Sequence, residues 1–447
     1  MRQTIALSLV ATQEESGFSL DELVLEVRRI FAAQGFAELL QLILHCVDEA
    51  VTLGWLCGTR ARRSAPCCPA PKLELHDRYE RRFRTSLGEI HLRCRRVRCV
   101  RCGKTAVPLR EFMDWERYRS KTGELEQVVA DVVCDQSYRR MSGHFDEIGL
   151  VPVPKSTAHR WVMESECDEG PPGTEDLAQF FADGTGFKRR PDATQNNRGE
   201  VRVALGVTKQ GKIEPFGAWS GKSWEEIGAE IRSRLTDEAG TTRTVEFGAS
   251  DGEPALANLM ADLANQSQRC HWHMTRDLGY TMWEEKAGKT ERRIAAKRLA
   301  GILKVELPAE DFERVKDEEK AELREKIETS EGELRRLAEE LRGKGYGKAA
   351  GHIESASRRL FTYARFWLRT GVVTPRVTSW IERVMREIGR RIKKIGFGWS
   401  EAGAAKVTRI LLRRLDAEGW SAYWREKLQL KGRVLVQLLS VTATDTH

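Results

Sequence analysis

Between residues 179 and 275, apolar runs of strand length alternate with helix-patterned stretches. No other feature constrains the fold of this chain as much, because strands alternating with helices build a layered α/β domain. Within this span VRVALGVT and KIEPFGAWSG read as hairpin strands, joined by a turn at Lys209–Gly211. Trp219, in FGAWSGKSWEE, reads as a core residue before a base-stacking one.

Two acids are set into this pattern. Asp183 lies in FFADGTGFK and Asp251 in VEFGASDGEPAL. Each is expected to end a short strand and open a Gly-containing turn. A third acid, Glu382 in TSWIERVMREIGRR, falls on a helix-patterned segment followed by a basic run. Three carboxylates brought together can hold two divalent metal ions for phosphodiester chemistry. Each acid also has a plain structural reading. Asp183–Gly184 could be a simple turn, Asp251 with Ser250 a cap for the helix GEPALANLMADLA, and Glu382 a solvated helix residue. Their order argues for a site: strand and acid, hairpin, strand and acid, then helix and acid.

The net charge of +8 is unevenly spread. Residues 61–120 carry 16 Lys/Arg against 7 Asp/Glu, and residues 371–447 carry 15 against 7. Residues 1–60 are acidic. Two basic blocks point to a polyanion such as nucleic acid, with a solvated basic face as the alternative. No apolar stretch is expected to approach the roughly 20 residues that span a bilayer. The segment MRQTIALSLVATQEE is a weak match to a signal peptide. A cytoplasmic, nucleoid-associated protein without membrane contact is therefore expected.

Residues 18–56 read as two amphipathic helices for packing or dimerisation, followed by a Pro- and Arg-rich link over 58–73. Residues 74–110 alternate as short strands around Leu87–Gly88 and run into Cys99-Val-Arg-Cys102-Gly. That CxxC is half a zinc knuckle. The other half is irregular: Cys67 and Cys68 are adjacent, and adjacent side chains do not readily face one ion. Cys94, His76 and His91 are alternative ligands, and reduced structural thiols are the alternative to zinc. Ten Lys/Arg between Arg78 and Lys104, among them Arg95 and Arg96, interleave with Tyr79 and Phe83, which suits a phosphate-gripping module.

Residues 121–165 read as three short helices of helix-turn-helix type. Gly149 closes the second, and Ser156 is expected to cap the third. Lys155, Thr157, His159 and Arg160 near its start are the candidates to reach DNA; a plain three-helix bundle is the alternative. Residues 306–344 look helical almost throughout, with Phe312, Val315 and five later apolar positions at helical spacing. The divisions expected are 1–60, 61–118, 119–170, 175–280, 281–370 and 371–447.

Together these residues resemble the DDE transposases of bacterial insertion sequences, nearest the Mutator-like branch. The resemblance rests on ADGTG at Asp183, ASDGEPAL at Asp251, Cys270-His-Trp-His273, TSWIER at Glu382, GRRIKK, and Trp399-Ser-Glu-Ala-Gly403. It covers roughly residues 65 to 425, specific in its core and looser toward the N-terminus. Trp380, where the related pattern often has Asn, and the adjacent first Cys pair are departures. The resemblance implies an α/β ribonuclease H-like catalytic domain interrupted by an all-α insertion. The N-terminal helical, small β and helix-turn-helix-like regions would precede it. The 130 residues between Asp251 and Glu382 would hold the insertion.

The resemblance further implies that Asp183, Asp251 and Glu382 are catalytic and bind two Mg²⁺ or Mn²⁺ ions. Structural Zn²⁺ would sit at Cys67, Cys68, Cys99 and Cys102. Cys270 and His273 would be a structural signature, since two ligands alone are too few for zinc. Lys188, Arg189, Arg190, Arg383, Arg386, Arg390 and Arg391 flank the acids and could hold phosphates, with a solvated basic helix face as the alternative. The expected partner is double-stranded DNA, both element ends and target, engaged by a homodimer or higher oligomer. A structure-specific nuclease on the same fold, or a DNA-binding regulator without catalysis, remains the alternative.

Overall fold

The computed structural model describes residues 20–31, 35–57, 67–68, 71–115, 118–168, 177–190, 197–236, 239–308, 311–394 and 397–428. The start of the chain, most of the 58–73 link and the basic segment after residue 428 lie outside the described residues. The side chain of Trp380 does too. The chain is a mixed α/β protein with two sheets. It divides into two compact units, Met1–Ser165 with Ser421–His447, and Glu166–Trp420.

The first unit opens with α1 (Leu20–Ile30) and α2 (Phe36–Leu56). Its sheet is a ribbon of β1 (Leu73–Thr85) and β2 (Gly88–Cys99), extended by the short β3 (Thr105–Ala106). Pairing runs from Leu73 opposite Cys99 to Thr85 opposite Gly88. Alternate β2 residues turn inward: Ile90, Leu92 and Cys94 bury against Ala37 and Leu44 of α2. Further along, Val97 packs with Val51 and Trp55. At 21 residues, α2 is long and apolar enough to cross a membrane by length and composition, which corrects the expectation that no such stretch exists. Its inward face, which carries Asp48, 2% exposed and paired with Arg95, packs on β2, and 28% of its apolar window is buried.

After α3 (Pro108–Met113) come α4 (Gly123–Asp135), α5 (Tyr138–Glu147) and α6 (Lys155–Glu164). Thr122 caps α4 and Ser137 caps α5 through their hydroxyls. Leu125, Val129, Val133, Met141, Phe145, Ala158 and Val162 are buried among these helices. The third helix begins at Lys155 rather than after Ser156. Pro154, held extended, is the N-cap and supplies no side-chain bond, so Ser156 is already helical.

The second unit holds a five-stranded sheet. Its strands are β4 (Leu177–Lys188), β5 (Arg198–Thr208), β6 (Ile213–Ser220), β7 (Val245–Ser250) and β8 (Ala264–Arg269). They lie in the order β6-β5-β4-β7-β8. β5 is antiparallel to both neighbours, whereas β4, β7 and β8 run parallel. The helices α7 (Trp224–Leu235) and α8 (Pro254–Leu263) connect β6 to β7 and β7 to β8. They bury Phe180, Ala182, Ala204, Phe216 and Trp219. Trp219 fills core, 7% exposed, with its Nε1–H donating to Glu230 at 2.7 Å.

Asp183 does not end its strand. Residues Asp183 to Lys188 continue β4 and pair with β5, Asp183 opposite Val203 and Gly184 opposite Arg202. The local DGTG chemistry favours a turn, but the ladder with β5 overrides it. Side chains alternate along a strand, so Asp183 shares a face with Phe181, away from the Phe180–Ala182 cluster.

After β8 the chain is helical through α9 (His271–Glu284), α10 (Lys289–Ile302), α11 (Asp317–Gly343), α12 (Gly347–Ala356) and α13 (Thr362–Thr370). The charged segment is less helical than its composition suggests. Among the described residues, 304–316 form no regular helix. Pro308 interrupts it, and α11 starts only where Glu319 caps the backbone of Lys316. Val315 still buries from this loop, and Phe312 is half-buried, edge-on to Trp367 at 5.1 Å. Then α14 (Ser379–Ile388) packs on β4, and a π turn at Gly389–Lys393 leads to α15 (Glu401–Leu415), which packs on β5 and β6. The last described helix, α16, spans Ala417–Lys427.

Candidate active site

Parallel pairing between β4 and β7 extends only to Phe181 opposite Ala249. Past that point the two strands separate, and both aspartates lie at this carboxyl end. Such a mouth is where open α/β sheets bind ligands. Asp183 Oδ1 accepts from the Gly184 N–H at 2.7 Å. Asp251 follows the last residue of β7, and its Oδ1 accepts from the Glu253 N–H at 3.0 Å. Asp251 thus closes a turn before α8 and does not cap it. The N-cap is Glu253, and Pro254 opens the helix.

Gly252 takes φ +85, and a Cβ there would lie 2.3 Å from Nη1 of Arg269. Arg269 is 5% exposed and donates to Asp277 at 3.3 Å. Its guanidinium is thereby packed on the turn that carries Asp251. Gly252→Ala is expected to cost about 1–3 kcal/mol from backbone strain alone, and to displace Arg269. Thermal unfolding measures it; an unchanged Tm would show that the turn relaxes freely.

Glu382 comes from the first turn of α14. Thr378, the residue before that helix, does not cap it. Its hydroxyl lies 3.1 Å from Glu382 Oε1 and 3.3 Å from Cys270 Sγ. One hydroxyl has one proton, so it serves one acceptor while the thiol can donate to its oxygen. Cys270, at the end of β8, and His273, three residues later in α9, face the same way. The donor atoms of Cys270, His273 and Glu382 all lie within 4.8 Å of one another.

Asp183 feels the charge of both other acids. The Asp183 carboxyl is pushed up to about 7, first by burial, then by the negative charge of Asp251, with Glu382 adding to it. The Gly184 N–H and Arg276 oppose the shift. A buried carboxyl crowded by like charge is the kind of group that a divalent cation relieves. Burial pushes the His273 imidazole down, and takes His271 down to about 4. His271 is structural: its Nε2 meets the Leu360 carbonyl at 2.6 Å, and its ring lies edge-on to Phe361 and Tyr363.

In the first unit, Cys67, Cys68, Cys99 and Cys102 come together, with sulfurs within 4.8 Å of one another. Adjacency is no obstacle: Cys67 and Cys68 sulfurs are 3.9 Å apart, and Cys68 and Cys99 sulfurs 3.7 Å. Four thiolates about 2.3 Å from a tetrahedral zinc have edges of about 3.8 Å. The cluster could hold a zinc ion. The Gly103 N–H donates to Cys99 O at 2.8 Å, turning the chain so that Cys102 returns to Cys99. The Cys102 and Arg101 N–H groups bring the Cys99 thiol down to about 6, a ready thiolate ligand. Cys94 belongs instead to the core, where burial pushes it up to about 12, and His76 and His91 are exposed.

The basic candidates divide. Arg383, Arg386 and Arg390 are exposed along α14 and the π turn, Arg390 with Glu387 at 2.7 Å. Lys188 and Arg190 are exposed near the end of β4. Arg189 is paired with Glu401. Arg391 is 4% exposed, its guanidinium 4.7 Å from the Trp399 ring centre, so it packs the unit and does not offer a free charge. Arg95 is likewise engaged by Asp48 and Glu49, and Arg96 by Asp77. On α6, Lys155 and Arg160 are exposed, Thr157 is half-buried, and His159 lies edge-on to Tyr138 at 5.3 Å.

One group escaped the sequence reading. Trp272, Arg276, Tyr280 and Trp283 share one face of α9, where the three aromatic rings are 52–62% exposed. Their i, i+4, i+8, i+11 spacing was the available signal. Neither a known protein-family model nor a curated protein matches the chain.

Proposed function

We propose that this chain is a DNA transposase that cleaves at element ends and transfers the freed strand into target DNA, on a ribonuclease H-like domain. The observation that carries the reading is one acid on a sheet strand, a second just past the end of the neighbouring strand, and a third on a helix packed against that sheet. Asp183 stands where β4 parts from β7, Asp251 follows β7, and Glu382 enters from α14, while the Asp183 carboxyl registers both other charges. The strand order β6-β5-β4-β7-β8, a meander continued by two parallel strands, agrees with that fold. Asp183, Asp251 and Glu382 would hold the divalent ions, Mg²⁺ or Mn²⁺, which activate an attacking oxygen and stabilise the leaving one.

The chain's own residues supply the rest. The Gly184 and Glu253 N–H groups fix one oxygen each of Asp183 and Asp251, leaving the other free to face an ion. Arg269 offsets negative charge beside Asp251. Exposed Arg383, Arg386 and Arg390 offer phosphate contacts on the helix that carries Glu382. The aromatic face of α9 begins two residues after Cys270 and suits stacking on unpaired bases. Trp272→Ala and Trp283→Ala are each expected to lose about 1–3 kcal/mol of single-strand affinity, measured by fluorescence anisotropy. Equal affinities in both variants would remove this face from the interface.

The decisive experiment incubates purified protein and Mg²⁺ or Mn²⁺ with DNA bearing the gene's own flanking sequences. Nicking and joining lost in Asp183→Asn and Glu382→Gln, with DNA binding kept, supports the transposase. Cleavage without joining favours a nuclease. Binding without metal-dependent chemistry in the wild type favours a regulator.

A further inference from the structure

The pair Cys270 and His273 lacks enough ligands for a metal when counted along the sequence. The fold supplies a third from more than a hundred residues away. Cys270 follows β8, its N–H donating to the Ser250 carbonyl at 2.9 Å, and is fully buried. His273 is 5% exposed, and its Nδ1 is buried without a hydrogen-bond partner. A buried imidazole nitrogen in that state is rare and calls for an explanation. Glu382 is half-buried and brings a carboxylate oxygen into the same space, with all three donor atoms within 4.8 Å.

We propose that Cys270, His273 and Glu382 form a second transition-metal site, of the zinc class, with one coordination position open. The donor set decides the class. A thiolate, an imidazole and a carboxylate match zinc or cobalt, whereas Mg²⁺ takes oxygen ligands only. Three protein ligands leave a fourth tetrahedral position for water or a phosphate oxygen. The two anionic ligands balance an ion placed near the positive ends of α9 and α14. Buried Thr378 orients the set, its hydroxyl set between Cys270 Sγ and Glu382 Oε1, as groups behind metal ligands do. Asp251 and Asp277 add negative potential at His273, and Arg276 opposes it. The site shares Glu382 with the carboxylate group, yet it does not require DNA cleavage to be the function.

The test uses the full chain, stripped of metal under reducing conditions and titrated with Co²⁺, whose thiolate charge-transfer and d–d absorptions report ligand type. Wild type is expected to bind two thiolate-ligated ions, one at the four-cysteine cluster and one here, told apart by their charge-transfer bands from any ion held by carboxylates alone. Cys67→Ser/Cys68→Ser should retain an ion with a single-thiolate spectrum, and adding Cys270→Ala should abolish that spectrum. Glu382→Gln, at a half-exposed position that tolerates the change, covers the case in which Cys270→Ala fails to fold. It should weaken the second ion by at least about tenfold. Circular dichroism establishes that each protein scored is folded. Equal Co²⁺ stoichiometry and spectra in wild type and Cys270→Ala, or unchanged affinity in Glu382→Gln, would overturn the site. Because the readout is metal binding, it is separate from any loss of nicking or joining.

Discussion

Asp183→Asn is expected to lower metal-dependent DNA cleavage by on the order of 10³-fold or more, and also to stabilise the metal-free protein at alkaline pH. The two effects share a cause. The folded-state carboxyl titrates at about 7, above its ordinary value, because it is buried among like charges. Below the unfolded pKa the group is protonated in both states and costs nothing. As pH rises from about 4 to 7, the unfolded chain gives up its proton first, so wild-type stability falls across that window. Above it the loss persists, on the order of 2–4 kcal/mol. Asparagine cannot ionise and escapes the loss. Denaturant unfolding of both proteins at pH 5 and pH 8, with chelator present, checks the sign. A wild type as stable as the variant at pH 8 would show that Asp183 ionises without penalty. Metal binding at this site should also release a proton near neutral pH, so affinity should rise as pH rises.

Removing the zinc ion that the four-cysteine cluster could hold is expected to have the largest effect on stability. A structural zinc contributes on the order of 10 kcal/mol of folding free energy. The four cysteines tie the segment at Cys67–Cys68 to the end of β2 and the knuckle after it. Cys99→Ser should bind one zinc fewer and melt the β1–β2 ribbon at lower temperature, and strong chelators should do the same to the wild type. Elemental analysis with circular dichroism checks both. Chain purified with no zinc, melting identically to Cys99→Ser, would return the cluster to reduced thiols.

How much of this was legible in the sequence depends on how local each signal is. The β5–β6 hairpin is written in two apolar runs and a Gly turn, and the structure places that turn at Gly211 with φ +81. The two strands bearing Asp183 and Asp251 are legible as apolar runs for the same reason. The context of Asp183 is not, because DGTG has turn chemistry and only pairing with β5 shows that it stays extended. Sheet order is set by pairings remote in sequence, which no local pattern records. The adjacent Cys67 and Cys68 looked unfit for one ion because their convergence depends on the path of the chain, not on spacing. Arg95 and Arg391 read as free cations, since burial partners on α2 and at Trp399 cannot be seen from neighbouring residues. The apolar length of α2 was missed because His45, Asp48 and Glu49 break up a run that a helix nonetheless carries.

The helices after β8 are stitched to it: Thr362 Oγ1 donates to the Ser267 carbonyl, Gln268 Nε2 to Leu360, and the Tyr363 N–H to Gln268 Oε1. These bonds close an edge strand that would otherwise offer its backbone to another chain. They also set an order of events during synthesis. A nascent chain that has emerged only as far as β8 already carries two of the three acids, with an open edge beside them. The third acid cannot arrive until α9 to α13 have been made and docked. Covering this edge and bringing in Glu382 both wait on the helices made after β8, so a half-made chain exposes a strand edge before it carries all three acids.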